Sequence, residues 1–76
     1  MQAKVSGSTP FKVLKDTCAI APTTNGYTLN YAVSKDGPWT AWPEDVPADE
    51  TLIINGLTPF MWLSLEGNED EVEVIL

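Results

Sequence analysis

Residues 27–34 read Tyr27-Thr28-Leu29-Asn30-Tyr31-Ala32-Val33-Ser34. Tyr27, Leu29, Tyr31 and Val33 take one parity, and Thr28, Asn30, Ala32 and Ser34 the other. Side chains of an extended chain point alternately to opposite faces, so this spacing describes a strand with one apolar and one more polar face. Tyr and Val also favour the pleated backbone. Lys35-Asp36-Gly37-Pro38 then stops the strand with turn-forming residues.

The same grammar extends in both directions. Downstream, Trp39-Thr40-Ala41-Trp42 is a short aromatic strand. Thr51-Leu52-Ile53-Ile54 is short and apolar. Phe60-Met61-Trp62-Leu63-Ser64-Leu65 is apolar on both faces at its start, which suits a central strand or one whose outer face meets a partner. Val72, Val74 and Leu76 alternate with Glu71 and Glu73, so the closing strand has one core face and one wet face. Upstream, Phe11-Lys12-Val13-Leu14 and Thr17-Cys18-Ala19-Ile20 supply the N-terminal strands, and the residues after Met1 are themselves strand-like. Turn signals recur at spacings near ten residues: 7–10, 22–26, 35–38, 43–50, 55–56 and 66–70. Residues 43–51, the best helix candidate, carry two prolines and read as an ordered loop. The expectation is an all-β chain: a small antiparallel β-sandwich of six or seven short strands joined by hairpins, one domain over residues 1–76.

Composition narrows the function. The chain has 76 residues, 43% hydrophobic and 20% charged, which is globular composition. A core this small yields only a few kcal/mol of net stability, which makes oligomerisation or docking on a larger assembly a natural support. Cys18 is the one cysteine and histidine is absent, so no intrachain disulfide and no Cys/His zinc site can form. No apolar run approaches a membrane span, and the N-terminal residues lack the apolar stretch of a signal peptide. A complete short reading frame and a piece of a larger protein both fit.

The net charge is −7 and unevenly spread. Residues 1–42 set four lysines against Asp16 and Asp36, a balance of +2. Residues 43–76 hold nine acids and no base, and the chain has no arginine. Such a surface repels phosphate, so nucleic acid and anionic membranes are not expected partners. The charge serves solubility, or it lets the basic half meet the acidic half of a second copy.

From Tyr27 onward the order of features resembles a fibronectin type III or related immunoglobulin-like sandwich. The residues that carry the resemblance are the strand at 27–34, the aromatic strand at 39–42, and Leu52-Ile53-Ile54-Asn55-Gly56-Leu57-Thr58-Pro59, similar to that family's strand-and-corner sequence. Trp62 stands near the place of the family's corner tyrosine. The resemblance covers about two thirds of the chain. The N-terminal third departs from it, because the tryptophan-bearing early strand is missing. The stretch from Tyr31 to Trp42 also resembles, in style, small β-modules of bacteriophage virions. That resemblance implies a structural role on a particle.

Candidate chemistry is sparse. Nucleophilic catalysis lacks its usual base. Cys18, between Thr17 and Ala19 in an apolar strand, reads as a buried structural thiol. Glu44, Asp45, Asp49 and Glu50, and Glu66, Glu69, Asp70 and Glu71, are carboxylate-rich loops rather than a hydrolase pair. The Glu66–Glu71 stretch does not follow the EF-hand spacing for calcium and reads as a solvated hairpin turn. Glu71 and Glu73 would suit an edge strand, where charge discourages pairing. No cofactor, metal or catalytic residue is expected, and the chain is not expected to be an enzyme.

The tryptophans carry the functional signal. Trp39 and Trp42 are three apart and therefore face opposite sides of a strand. Either both pack under the 43–50 loop, or one is free to anchor a protein or stack on a sugar. Trp39, Trp42 and Trp62 are the candidate partner-binding residues. The sequence thus points to a non-enzymatic structural module of a bacteriophage virion, a capsid-decoration or head-fibre protein. It would contact a capsid or its own copies as a homo-oligomer and would be made in the host cytoplasm. A carbohydrate- or cell-surface-binding module using exposed aromatics is the alternative.

Overall fold

The computed structural model describes residues 2–23, 26–44, 46 and 50–76. The turn at 22–26 and the loop at 43–51 therefore fall partly outside the described residues, at Thr24 and Asn25 and at Asp45, Pro47, Ala48 and Asp49. Among the described residues the protein is all β. The strands are β1 (Gln2–Ser6), β2 (Phe11–Lys12), β3 (Cys18–Ile20), β4 (Thr28–Ala32), β5 (Thr40–Ala41), β6 (Leu52–Ile54), β7 (Trp62–Glu66) and β8 (Glu71–Ile75).

They form two antiparallel four-stranded sheets, ordered β1-β8-β3-β6 and β2-β7-β4-β5. One apolar cluster joins them. Val5, Cys18, Ile20, Ile54, Val72 and Val74 come from the first sheet, and Phe11, Leu29, Leu63 and Leu65 from the second. Val13, Leu57 and Leu76 lie outside the strands. The architecture is the expected small sandwich.

Eight strands form where six or seven were expected. β2 and β5 are two-residue pieces, and β1 closes the first sheet by pairing with β8 from Gln2↔Ile75 to Ser6↔Glu71. The expected hairpins are mostly replaced by crossings. Among the described elements, β4–β5 is the one connection that stays within a sheet. The Glu66–Glu71 stretch is therefore no hairpin turn but a corner carrying the chain from one sheet to the other. β8 is likewise no edge strand: it lies between β1 and β3.

The corner has a visible cause. Asn68 is only 3% exposed. Its amide nitrogen donates to the carbonyls of Gly7 and Asp70, and its Oδ1 accepts from the Asp70 N–H. The Gly7 N–H in turn donates to the Asp70 carbonyl. The β1–β2 and β7–β8 corners are stitched to each other through one side chain.

The alternation of residues 27–34 holds as far as Tyr31. Leu29 is buried, while Tyr27 and Tyr31 pack against the core. Val33 does not join them and is 86% exposed. The strand ends at Ala32, and the Gly37 N–H donates to the Ser34 carbonyl while the Ser34 hydroxyl donates to the Gly37 carbonyl. That turn takes the chain away from the core before Val33 can reach it.

Candidate binding face

The outer face of the second sheet carries Trp39 and Trp62, both partly exposed. Register sets its membership. Leu63 and Leu65 of β7 face the core, so Trp62, Ser64 and Glu66 face out. Their β4 partners Ala32, Asn30 and Thr28 face out with them, as does Lys12 opposite Trp62.

An open groove of about 610 Å³ lies on this face, lined by Ser8, Pro10, Asn30, Trp39, Ala41, Ser64 and Glu66. Trp39 forms its aromatic wall. Gly37 makes room for that ring: a Cβ there would sit 2.9 Å from Trp39 Cδ1 and 3.0 Å from its backbone nitrogen, and the φ of Gly37 is +90°. Glycine is required on both counts.

The polar side of the groove is pre-oriented. The Asn30 amide donates to Glu66 Oε2 at 2.7 Å, across the strand from its own ladder partner Ser64. The Ser64 hydroxyl donates to the Ser8 carbonyl at 3.1 Å, which ties the β1–β2 corner to the rim.

A second patch sits beyond Ser64 on the same face. Lys12 Nζ lies 5.8 Å from the Phe60 ring centroid and 5.9 Å from that of Trp62, both within cation–π range. Phe60 is 62% exposed and occupies a left-handed backbone conformation, φ 70°. The Met61 N–H donates to the Thr58 carbonyl, so Pro59 and Phe60 are the central residues of a β-turn. Positive φ at the third position, after proline, is the type II pattern, which ordinarily takes glycine or asparagine there.

Trp42 lies on the other side. Its ring meets Tyr31 edge-on, with centroids 5.7 Å apart and planes at 83°, and it packs against the core. The Trp42 backbone N–H donates to the Leu29 carbonyl. The three tryptophans thus do not form one site. Trp39 and Trp62 share the outer face, and Trp42 is a packing residue.

Cys18 is buried, and burial pushes its thiol up to about 11. Tyr27 is pushed up to about 12, first by burial and then by the Cys18 thiolate. Both shifts hold the neutral form, the opposite of what an activated nucleophile needs. Among the described residues, no cluster of three or more acidic or cysteine side chains is placed to hold a metal ion.

Sequence reasoning missed Asn30, Glu66, Ser64 and the Lys12–Phe60 contact. Asn30 was legible on the polar parity of its strand, and Ser64 was the lone polar residue in an apolar run. The Asn30–Glu66 contact spans 36 residues and left no local signal.

The fold defines a class, a small all-β protein of two antiparallel four-stranded sheets. No protein-family model, curated protein or solved structure matches the chain.

Proposed function

We propose that the chain is a non-enzymatic structural and interaction module. It acts by protein–protein contact, as a small bacteriophage virion protein of the capsid-decoration or head-fibre kind. Its partner is a capsid surface or further copies of itself. We read the fold as a divergent immunoglobulin-style sandwich: the β3·β6, β4·β7 and β4·β5 pairings support this, and the placing of β8 in the first sheet is its departure.

The observation that carries the reading is the Phe60–Trp62–Lys12 patch. The turn holds a large apolar side chain in water, at a backbone geometry that glycine adopts without strain. Local stability accounts for neither feature. An exposed aromatic beside a second aromatic is the composition of an interface centre, and a lysine belongs at its rim. The lysine suits an acidic counterpart, which the chain's own C-terminal half supplies in a second copy.

Light scattering coupled to size exclusion tests this. A defined oligomer, or co-sedimentation with capsids, that is lost in Phe60→Ser while the circular dichroism spectrum stays native supports the reading. A monomer with no capsid affinity, or an assembly indifferent to Phe60→Ser, rejects it. Capsid or portal genes beside the coding frame would support the virion setting.

A further inference from the structure

The Trp39 groove lies beyond Ser64 from the Phe60 patch and has a different chemistry. We propose that it is a binding site for a neutral saccharide, with Trp39 as the stacking platform and the Asn30–Glu66 pair as the hydroxyl clamp.

Three observations converge. First, the groove pairs an indole with a short row of polar side chains, and its volume of about 610 Å³ falls in the range of small-ligand sites. A pyranose has an apolar C–H face and a polar hydroxyl rim, and this wall and clamp match the two. Second, the clamp is already set. The Asn30 amide donates to Glu66 Oε2, and the amide oxygen and the second carboxylate oxygen are the acceptors the pair can offer to hydroxyl groups. Ordering these side chains before binding lowers the entropic cost of capture. Third, Gly37 leaves room for the ring to stand at the groove: a Cβ there would lie 2.9 Å from Trp39 Cδ1.

The same residues select among ligands. Among the described residues no cationic side chain lines the groove, so sulfated or sialylated glycans find no counter-charge there. The groove lies on a sheet face, where the ladders already occupy the main-chain groups of β4 and β7. An extended peptide needs free main-chain partners at a sheet edge. A saccharide needs only side chains and a flat apolar surface. A basic peptide, with a guanidinium on Trp39 and Glu66, is the competing occupant. It would depend on one screened surface carboxylate, which contributes little.

The test is a titration of the full chain, followed by the three indole N–H resonances, with lactose, maltose, cellobiose and N,N′-diacetylchitobiose. An arginine-containing peptide and a sialylated lactose form parallel arms. The expected result is a shift of the Trp39 indole by at least one neutral disaccharide, with Trp42 unmoved. Trp39→Ala weakens that binding by about tenfold or more. Glu66→Gln and Asn30→Ala weaken it by smaller factors. Gly37→Ala weakens it with Trp39 still present, which a purely structural Trp39 would not require. Phe60→Ser leaves it unchanged, so this site stands or falls separately from the protein-contact patch. The proposal is overturned if none of the four disaccharides moves the Trp39 indole, if the sialylated sugar or the peptide binds more tightly than the neutral sugars, or if binding survives Trp39→Ala in a variant whose melting temperature is native.

Discussion

The two sheets turn different surfaces to solvent. On the first, Lys4 and Glu71 lie 3.6 Å apart and the Gln2 amide donates to Glu73. Next to this polar ladder run Ile75, Ala19 and Ile53 in cross-strand register. Both isoleucines are exposed. On the second, the exposed apolar groups are aromatic rings, each with a fixed polar neighbour: Lys12 over Phe60 and Trp62, and the Asn30–Glu66 pair beside Trp39. Apolar exposure alone does not separate the two faces. Both faces carry ordered polar pairs; the second differs in that the large apolar groups beside them are aromatic rings. Scattered surface aliphatics are ordinary, whereas rings with pre-set partners have the make-up of a binding surface.

The comparison stops at the surface, and the largest expected effects show it. Ile20→Ala in the first sheet and Leu63→Ala in the second remove fully buried side chains of one shared cluster. Each should cost about 2–5 kcal/mol in urea denaturation, enough to unfold much of the population. Two separate unfolding transitions, in place of one, would mean that the sheets have separable cores.

Alkaline pH should reveal an asymmetry inside. The unfolded chain ionises Cys18 near 9.0, while the fold keeps the proton to about 11. The native state is thus the more protonated one between those values. The contribution is complete below pH 9 and is lost as pH rises towards 11, about 3 kcal/mol in the limit. Tyr27, pushed up to about 12, continues the loss in the same direction at higher pH. Urea midpoints followed from pH 8 to 11 should fall for the native chain and fall less for Cys18→Ala.

Asn68→Ala should cost about 2 kcal/mol, because it leaves the Gly7 and Asp70 carbonyls and the Asp70 N–H without their side-chain partner. It strikes both sheets at once, since the corner it locks joins them.

The smallest effects bear on the surfaces themselves. Phe60→Gly should leave stability within about 0.5 kcal/mol, as relief of the positive φ offsets the lost ring contact and the added chain entropy. Its assembly should nonetheless vanish. Ile53→Thr with Ile75→Thr should also be near-neutral in stability, and should leave both assembly and sugar binding intact. Loss of assembly in that double variant would move the interface to the first sheet.

Local pattern carried the sequence reading a long way. Period-two alternation marked residues 27–34 and 71–76 as half-buried strands, the first too long by its last two residues, and of the two readings of the apolar run beginning at Phe60, the central strand is the one β7 takes. Local pattern also set its limit. Strands were legible at 11–14 and 39–42, but only Phe11–Lys12 and Thr40–Ala41 pair, and pairs that short leave no alternation to mark their bounds. Whether a turn closes a hairpin or crosses between sheets depends on long-range bonds such as Asn68 to Gly7, which local sequence does not display. At the site, the opposed facing of Trp39 and Trp42 followed from their three-residue spacing, while the groove's polar side required residues brought together from β4 and β7.

The pairing of β1 with β8 has a consequence in time. Among the described strands Gln2–Ser6 is the earliest in the domain, and its partner there is Glu71–Ile75, the latest. During synthesis it must wait, unpaired, until nearly the whole of the domain has emerged. Loops closed over such separations slow folding. Nascent chains stalled before residue 71 should be open to protease along their length, and protection should arrive in a single late step.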